Sequence, residues 1–233
     1  MNRRLASAFA ASALFALTAG CTHAAAPSRA AAPAPAHAIV PQPTISTDSL
    51  AAEIAPAEAP KLPQKVGDYV VYKFSGSYRK TPLLLTQRVV EVKGWTLVVD
   101  YVLKDGARRR SVRVTFDKSP NAKHEIVAIA RLEGTQAIPI AQAELDAMMA
   151  ETVLAADDNE KTLGTENVTL AVGGKSMECT KTSYRVVIGK KRATMSTLTS
   201  KGFSWGDVGG EIRSDDGKVL YRAEVIETGN DPL

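Results

Sequence analysis

The chain has 233 residues and a mass of 24.8 kDa, with 45% hydrophobic, 23% charged and 6% aromatic residues and a net charge of +4. These fractions are those of a folding chain, and the length suits one domain with an appendage or two small ones. Two distant cysteines and three histidines argue against a disulfide framework, a Cys-rich zinc module and a His-based metal site.

The first predicted element is an export signal over residues 1–20. Arg3 and Arg4 make a short positive start, and Leu5 to Thr18 form an uncharged apolar stretch. A permanent span needs about 20 apolar residues to cross about 30 Å of hydrocarbon, so this shorter stretch fits the apolar region of a signal peptide. It ends Leu17-Thr18-Ala19-Gly20-Cys21, with small residues directly before a cysteine. This segment resembles the lipobox of bacterial lipoproteins. That family favours Leu three places before its cysteine, whereas here Thr18 stands there and Leu17 is one further out. The resemblance implies that the Cys21 thiol takes a diacylglycerol, that cleavage falls just before it, and that the new amine is acylated. Ordinary cleavage near residues 24–26 is the alternative and would leave a soluble periplasmic protein. Each buried methylene contributes about 0.8 kcal/mol, so several acyl chains hold a protein on a leaflet without a transmembrane helix. Thr22 rather than Asp follows Cys21, which in enteric-type bacteria implies the outer membrane, facing the periplasm.

Residues 21–62 change composition sharply. This tract holds seven prolines, many alanines, few charges and no aromatic residue. It cannot bury enough apolar surface to offset its ordering entropy, and a flexible linker with a reach of roughly 35–40 Å is expected. His23 and His37 fall within it and read as solvated residues.

Residues 63–233 are expected to form a single domain. Turn dipeptides at Lys93-Gly94, Asp105-Gly106, Gly173-Gly174, Gly189-Lys190 and Asp216-Gly217 separate runs rich in Val, Leu, Ile, Thr and Tyr. Strands are predicted over 67–75, 83–93, 95–104, 107–118 and 123–132, then over 165–172, 175–188, 191–200, 209–214 and 218–228. Trp95, Leu97, Val99, Tyr101 and Leu103 share one parity, as do Val112, Val114 and Phe116 after the Asp105-Gly106 turn, which predicts a hairpin with one buried face. Between the two groups, residues 141–155 repeat Ala141, Leu145, Met148, Met149, Thr152 and Val153 at helical spacing, so an amphipathic helix of about 15 residues is expected. The predicted class is mainly β (α+β): a curved antiparallel sheet or incomplete β-barrel with one amphipathic helix packed on it.

Order and size over about residues 66–228 resemble the half-barrel fold of periplasmic lipoprotein carriers, which implies an apolar cavity. Those carriers use more helices than the one predicted here. The tail, with Cys179, Trp205, Gly209-Gly210-Glu211-Ile212 and Asp216-Gly217, also resembles the end of many bacterial lipoproteins. Neither resemblance carries a functional residue over.

The candidates for chemistry are few. Cys179 lies on a predicted central strand and reads as a core thiol. His124 begins a strand as a surface or edge residue, and no nucleophile elbow accompanies it. Gly173-Gly174 and Gly209-Gly210 open no helix and so are not phosphate loops. Asp157-Asp158-Asn159-Glu160 lacks cation-loop spacing and reads as a solvated loop after the helix. The strongest surface signal is basic: Lys104, Arg108, Arg109, Arg110 and Arg113, with Lys118, on one hairpin, joined by Arg79-Lys80 and Lys190-Lys191-Arg192. Arg clusters suit anion contacts, and long basic side chains also protect strand edges from aggregation. Leu145, Met148 and Met149 are candidate contacts for an apolar ligand.

Two functions follow as expectations, both non-enzymatic, with no cofactor, no metal and no nucleic acid. One is an envelope lipoprotein that binds an apolar or lipid ligand between sheet and helix. The other is a structural or protein-interaction lipoprotein with a packed core and a working surface at the basic hairpin. The membrane, through the lipid anchor, and a lipid or envelope protein are the expected partners.

Overall fold

The computed structural model describes residues 63–123 and 125–231. Cys21, the export signal, the linker to residue 62 and His124 lie outside the described residues. Eleven strands and one helix follow in chain order: β1 (Asp68–Ser75), β2 (Leu83–Lys93), β3 (Thr96–Asp105), β4 (Arg108–Asp117), β5 (Ile126–Glu133), β6 (Gln136–Pro139), α1 (Gln142–Ala150), β7 (Asp158–Val172), β8 (Lys175–Ile188), β9 (Lys191–Thr199), β10 (Asp207–Ser214) and β11 (Val219–Asn230). They form one antiparallel sheet in the order β6-β5-β4-β3-β2-β1-β11-β10-β9-β8-β7. The chain walks outward from β1 to β6, passes through α1 to the far edge at β7, and walks back to β11, which pairs with β1. The sheet is open, β6 and β7 are its edges, and α1 is the connection between them. This is the expected mainly-β class.

Period-two patterning builds the first half. Leu97 opposes Phe116, Val99 opposes Val114 and Tyr101 opposes Val112 across β3 and β4, as the parity of the sequence requires. On β2, Leu83, Leu85, Gln87 and Val89 alternate into the interior. The main core joins both halves: Val70, Leu85, Val114, Val186 and Ile212 are essentially inaccessible, each contributing about 1.5–3 kcal/mol through burial. Val186 and Cys179, seven residues apart on β8, point to opposite faces of that strand, yet both belong to this core. The long β7–β8 hairpin thus turns different faces inward at its two ends, a consequence of strong twist.

Gly209 allows a sharp step in β10. It sits at φ +140° beside a register shift between Asp207 and Gly209, and a Cβ there would lie 2.2 Å from the Ala223 carbonyl oxygen. Only glycine lets β10 approach β11 this closely.

Three elements differ from expectation. The helix has nine residues rather than about fifteen, because residues beyond Ala150 change their hydrogen bonding. Thr152 N–H donates to Met149 O (3.0 Å) and Val153 N–H to Ala150 O (3.4 Å), a tighter i−3 pattern. The Thr152 hydroxyl also donates to Met149 O (2.7 Å), and the Tyr221 hydroxyl of β11 donates to Thr152 O (3.0 Å). These bonds satisfy the free carbonyls and stop the helix. The run 158–160, expected as a loop, opens β7: Asp158 and Asn159 pair with Val187 and Val186 of β8. Finally, β6 is an additional short strand on β5.

In this meander the turns alternate between two ends. The β3–β4 turn shares its end with the β1–β2, β5–β6, β8–β9 and β10–β11 turns. Residues 63–67 lie at the other end, where Gly67 N–H donates to Val89 O and Asp231 N–H to Gly67 O. The preceding chain therefore joins the domain at the end opposite the basic turn.

Candidate functional site

Strand alternation divides the basic hairpin between two faces. Lys104 and Arg109 are direct cross-strand partners on the outer face. On that same face Arg113 donates to both oxygens of Asp100, at 2.7 and 2.8 Å, which holds the guanidinium above its ordinary pKa. Arg108 and Arg110 lie on the helix side. Arg108 meets Asp105 (3.3 Å) and Glu151 (3.2 Å), and Arg110 Nη2 lies 2.6 Å from Glu151 Oε2. That last contact is an ion pair without hydrogen-bond alignment, and the nitrogen is buried. Arg79 of the β1–β2 loop adds a second cation to Asp105 at 3.2 Å.

This network explains a feature that is unfavourable alone. Glu151 caps α1 at its C-terminus, where a carboxylate meets the negative end of the helix dipole. Two arginines from β4 offset it and tie the hairpin to the helix. Tyr78 packs on Tyr221 with ring centroids 5.3 Å apart, and burial pushes its hydroxyl pKa up to about 12.

Lys104 and Arg109 stand apart from this pattern. Both are exposed and neither forms an ion pair with a described residue. Like charges directly opposed across strands are destabilising, and an anion between them would offset that repulsion.

Beside it the sheet unzips. The β4–β5 ladder runs from Phe116↔Ile126 to Val112↔Arg131 and stops. Arg108–Ser111 remain paired only to β3, while Leu132 and Glu133 pair with Ala137 and Gln136 of β6. A cleft of about 810 Å³ opens at this step, bounded by Arg109, Arg110 and Val112 of β4, the end of β5 from Arg131, and Glu144 and Met148 of α1. Arg131 bridges Glu133 (2.8 Å) and Glu144 (3.3 Å). Arg109 is the one charged side chain bordering the cleft that lacks an ion-pair partner among the described residues.

The three helix residues considered for an apolar ligand are core residues in this structure. Leu145, Met148 and Met149 belong to the main core, and Met148, at 2% exposure, also borders the cleft. Cys179 is a free thiol at 3% exposure, its pKa raised by burial, with Met177 O at 3.7 Å. Among the described residues, no cluster of His, Cys, Asp and Glu is arranged to hold a metal, and no helix is long and apolar enough to cross a membrane. The cations were visible in the sequence, whereas the cleft was not. The Glu133-Gly134 turn before Gln136–Pro139 was the signal that marked β6 and the departure of β5.

No known family's sequence profile matches the chain, and no curated protein matches it. Solved structures are similar in part. A hypothetical protein of Chlamydia trachomatis has 12% identity over 72% of this chain and 89% of its own, with a TM-score of 0.39. A protein with a YmcC-like fold from Bacteroides fragilis has 10% identity over 72% of this chain and 98% of its own, also at 0.39. The MucA/MucB complex of Pseudomonas aeruginosa matches at 14% identity over 71% of this chain and 53% of the matched chain, at 0.36. At such scores the likeness assigns nothing to this chain.

Proposed function

We propose that the chain is an envelope lipoprotein, anchored through Cys21, whose domain is a non-enzymatic protein-interaction module with a packed interior. The observation that carries this reading is the placement of Leu145, Met148 and Met149 inside the main core. An apolar ligand between sheet and helix would have to displace these side chains, each of which contributes about 1.5–3 kcal/mol where it is. An open, charged cleft of the size of a binding pocket lies beside β4. Its carboxylates, Asp100, Glu133 and Glu144, each face an arginine, so none stands free as a general base.

The test is a photo-crosslinking amino acid at Leu132, on the cleft, in the full chain in intact cells. A discrete adduct with another polypeptide is expected, while organic extraction of the purified lipoprotein yields only the anchor. Stoichiometric recovery of a further lipid, or the absence of a protein adduct, would overturn the interaction reading.

A further inference from the structure

We infer that the cleft takes an extended, acidic polypeptide segment, which adds as a short strand to the free edge of β4 at Arg108–Ser111 and sets a carboxylate against Lys104 and Arg109. This rests on the interaction reading above and names the chemistry of its partner.

The two outer edges of the sheet, β6 and β7, are guarded. β6 is four residues long and ends at Pro139, which has no donor. β7 carries two register shifts, at Asn159/Lys161 and Thr162/Gly164, and the charged side chains of Glu160, Lys161 and Glu166. Bulges and charges of this kind turn an edge away from pairing. The step in β4 has charges but no bulge, and Arg108 and Arg110 are drawn to the helix side by Glu151. Arg108–Ser111 hold an unbroken register with β3 and contain no proline. About four residues of extended backbone, roughly 13 Å, are presented to the cleft.

A strand added here alternates its side chains between two surroundings. One side meets Arg110, paired to Glu151, and beyond it Ile140 and the edges of Val112 and Met148. The other meets Arg109 and its cross-strand partner Lys104, two cations with no acidic partner among the described residues. A carboxylate between them removes their mutual repulsion and gains charge-assisted bonds. An anionic lipid headgroup would satisfy the two cations and leave the backbone groups of β4 unmet. The preceding chain, moreover, joins the domain at the opposite end. These two facts favour a polypeptide over a membrane surface.

The experiment uses the full chain carrying Cys21→Ser and two dye-labelled, end-blocked hexapeptides, one alternating valine with glutamate and one alternating valine with lysine. The glutamate peptide is expected to bind and to slow amide exchange at Arg109–Ser111. The lysine peptide is expected to bind at least about tenfold more weakly, and Lys104→Gln with Arg109→Gln to weaken the glutamate peptide roughly tenfold without lowering the melting temperature. Equal binding of the two peptides, unprotected β4 amides, or binding only to phosphatidylglycerol vesicles would overturn the inference. If Leu132 crosslinks to a protein in cells while the glutamate peptide leaves β4 unprotected, the interaction reading stands and this inference falls.

Discussion

Glu211 shows how a single side chain sets a response to acid. It stands between Arg213, which donates from Nε at 2.9 Å, and Arg222, which donates from Nε at 2.9 Å. Partial burial raises its pKa, but hydrogen bonds from Arg222 and Arg213 outweigh burial, so the carboxyl titrates below the usual glutamate range. A group depressed in the folded state stabilises the fold above its unfolded value, about 4.3, and that contribution fades as pH falls through the lower folded value. Asp117, lowered by the backbone N–H of Ser119, and Asp216, lowered by the Ser214 hydroxyl, act in the same direction. Glu211→Gln is therefore expected to reduce stability at neutral pH and to flatten the loss of stability in acid. Urea unfolding at neutral pH and near pH 3 checks both, and an unchanged acid slope would show that the arginines do not act through this carboxylate.

At the scale of elements, the helix is the decisive test of a filled interior. Leu145→Ala is expected to cost about 2–4 kcal/mol, the range for a buried leucine that leaves a cavity. Chemical denaturation reads this directly, and a loss below about 1 kcal/mol would mean that the site collapses or was never packed. Sequence periodicity placed this helix but extended it too far, since Thr152 and Val153 remain on the apolar stripe. What ends it is the hydroxyl of Tyr221 on β11, which is distant in sequence. The β3–β4 hairpin was fully legible, because Asp105-Gly106 marks its turn and strict alternation fixes its faces. The start of β7 was not. Its first residues are polar and exposed on both faces, so they carry no alternation, and only the ladder to β8 makes them a strand. The basic residues were equally plain in the sequence. Their division, with Arg108 and Arg110 on Glu151 and, on the other face, Arg113 on Asp100 and Lys104 and Arg109 in solvent, follows from tertiary packing that local spacing does not encode.

For the whole molecule, the proposed anchor at Cys21 is open to a direct test. Cys21→Ser is expected to move the protein to the soluble fraction and to abolish labelling by a palmitate analogue. A variant that stays acylated and membrane-bound would remove the anchor from the account.

The seam between β1 and β11 has a temporal consequence. Tyr72 meets Val225 from roughly 150 positions away, so the first strand made waits for the last before the two halves can be stitched together. Contacts this distant in sequence close slowly and leave open edges in the interval. Two unfinished flaps keep unpaired strand edges until the dozen residues of β11 are in place. A premature stop codon just upstream of them would therefore yield a protein torn down the middle rather than one slightly shortened.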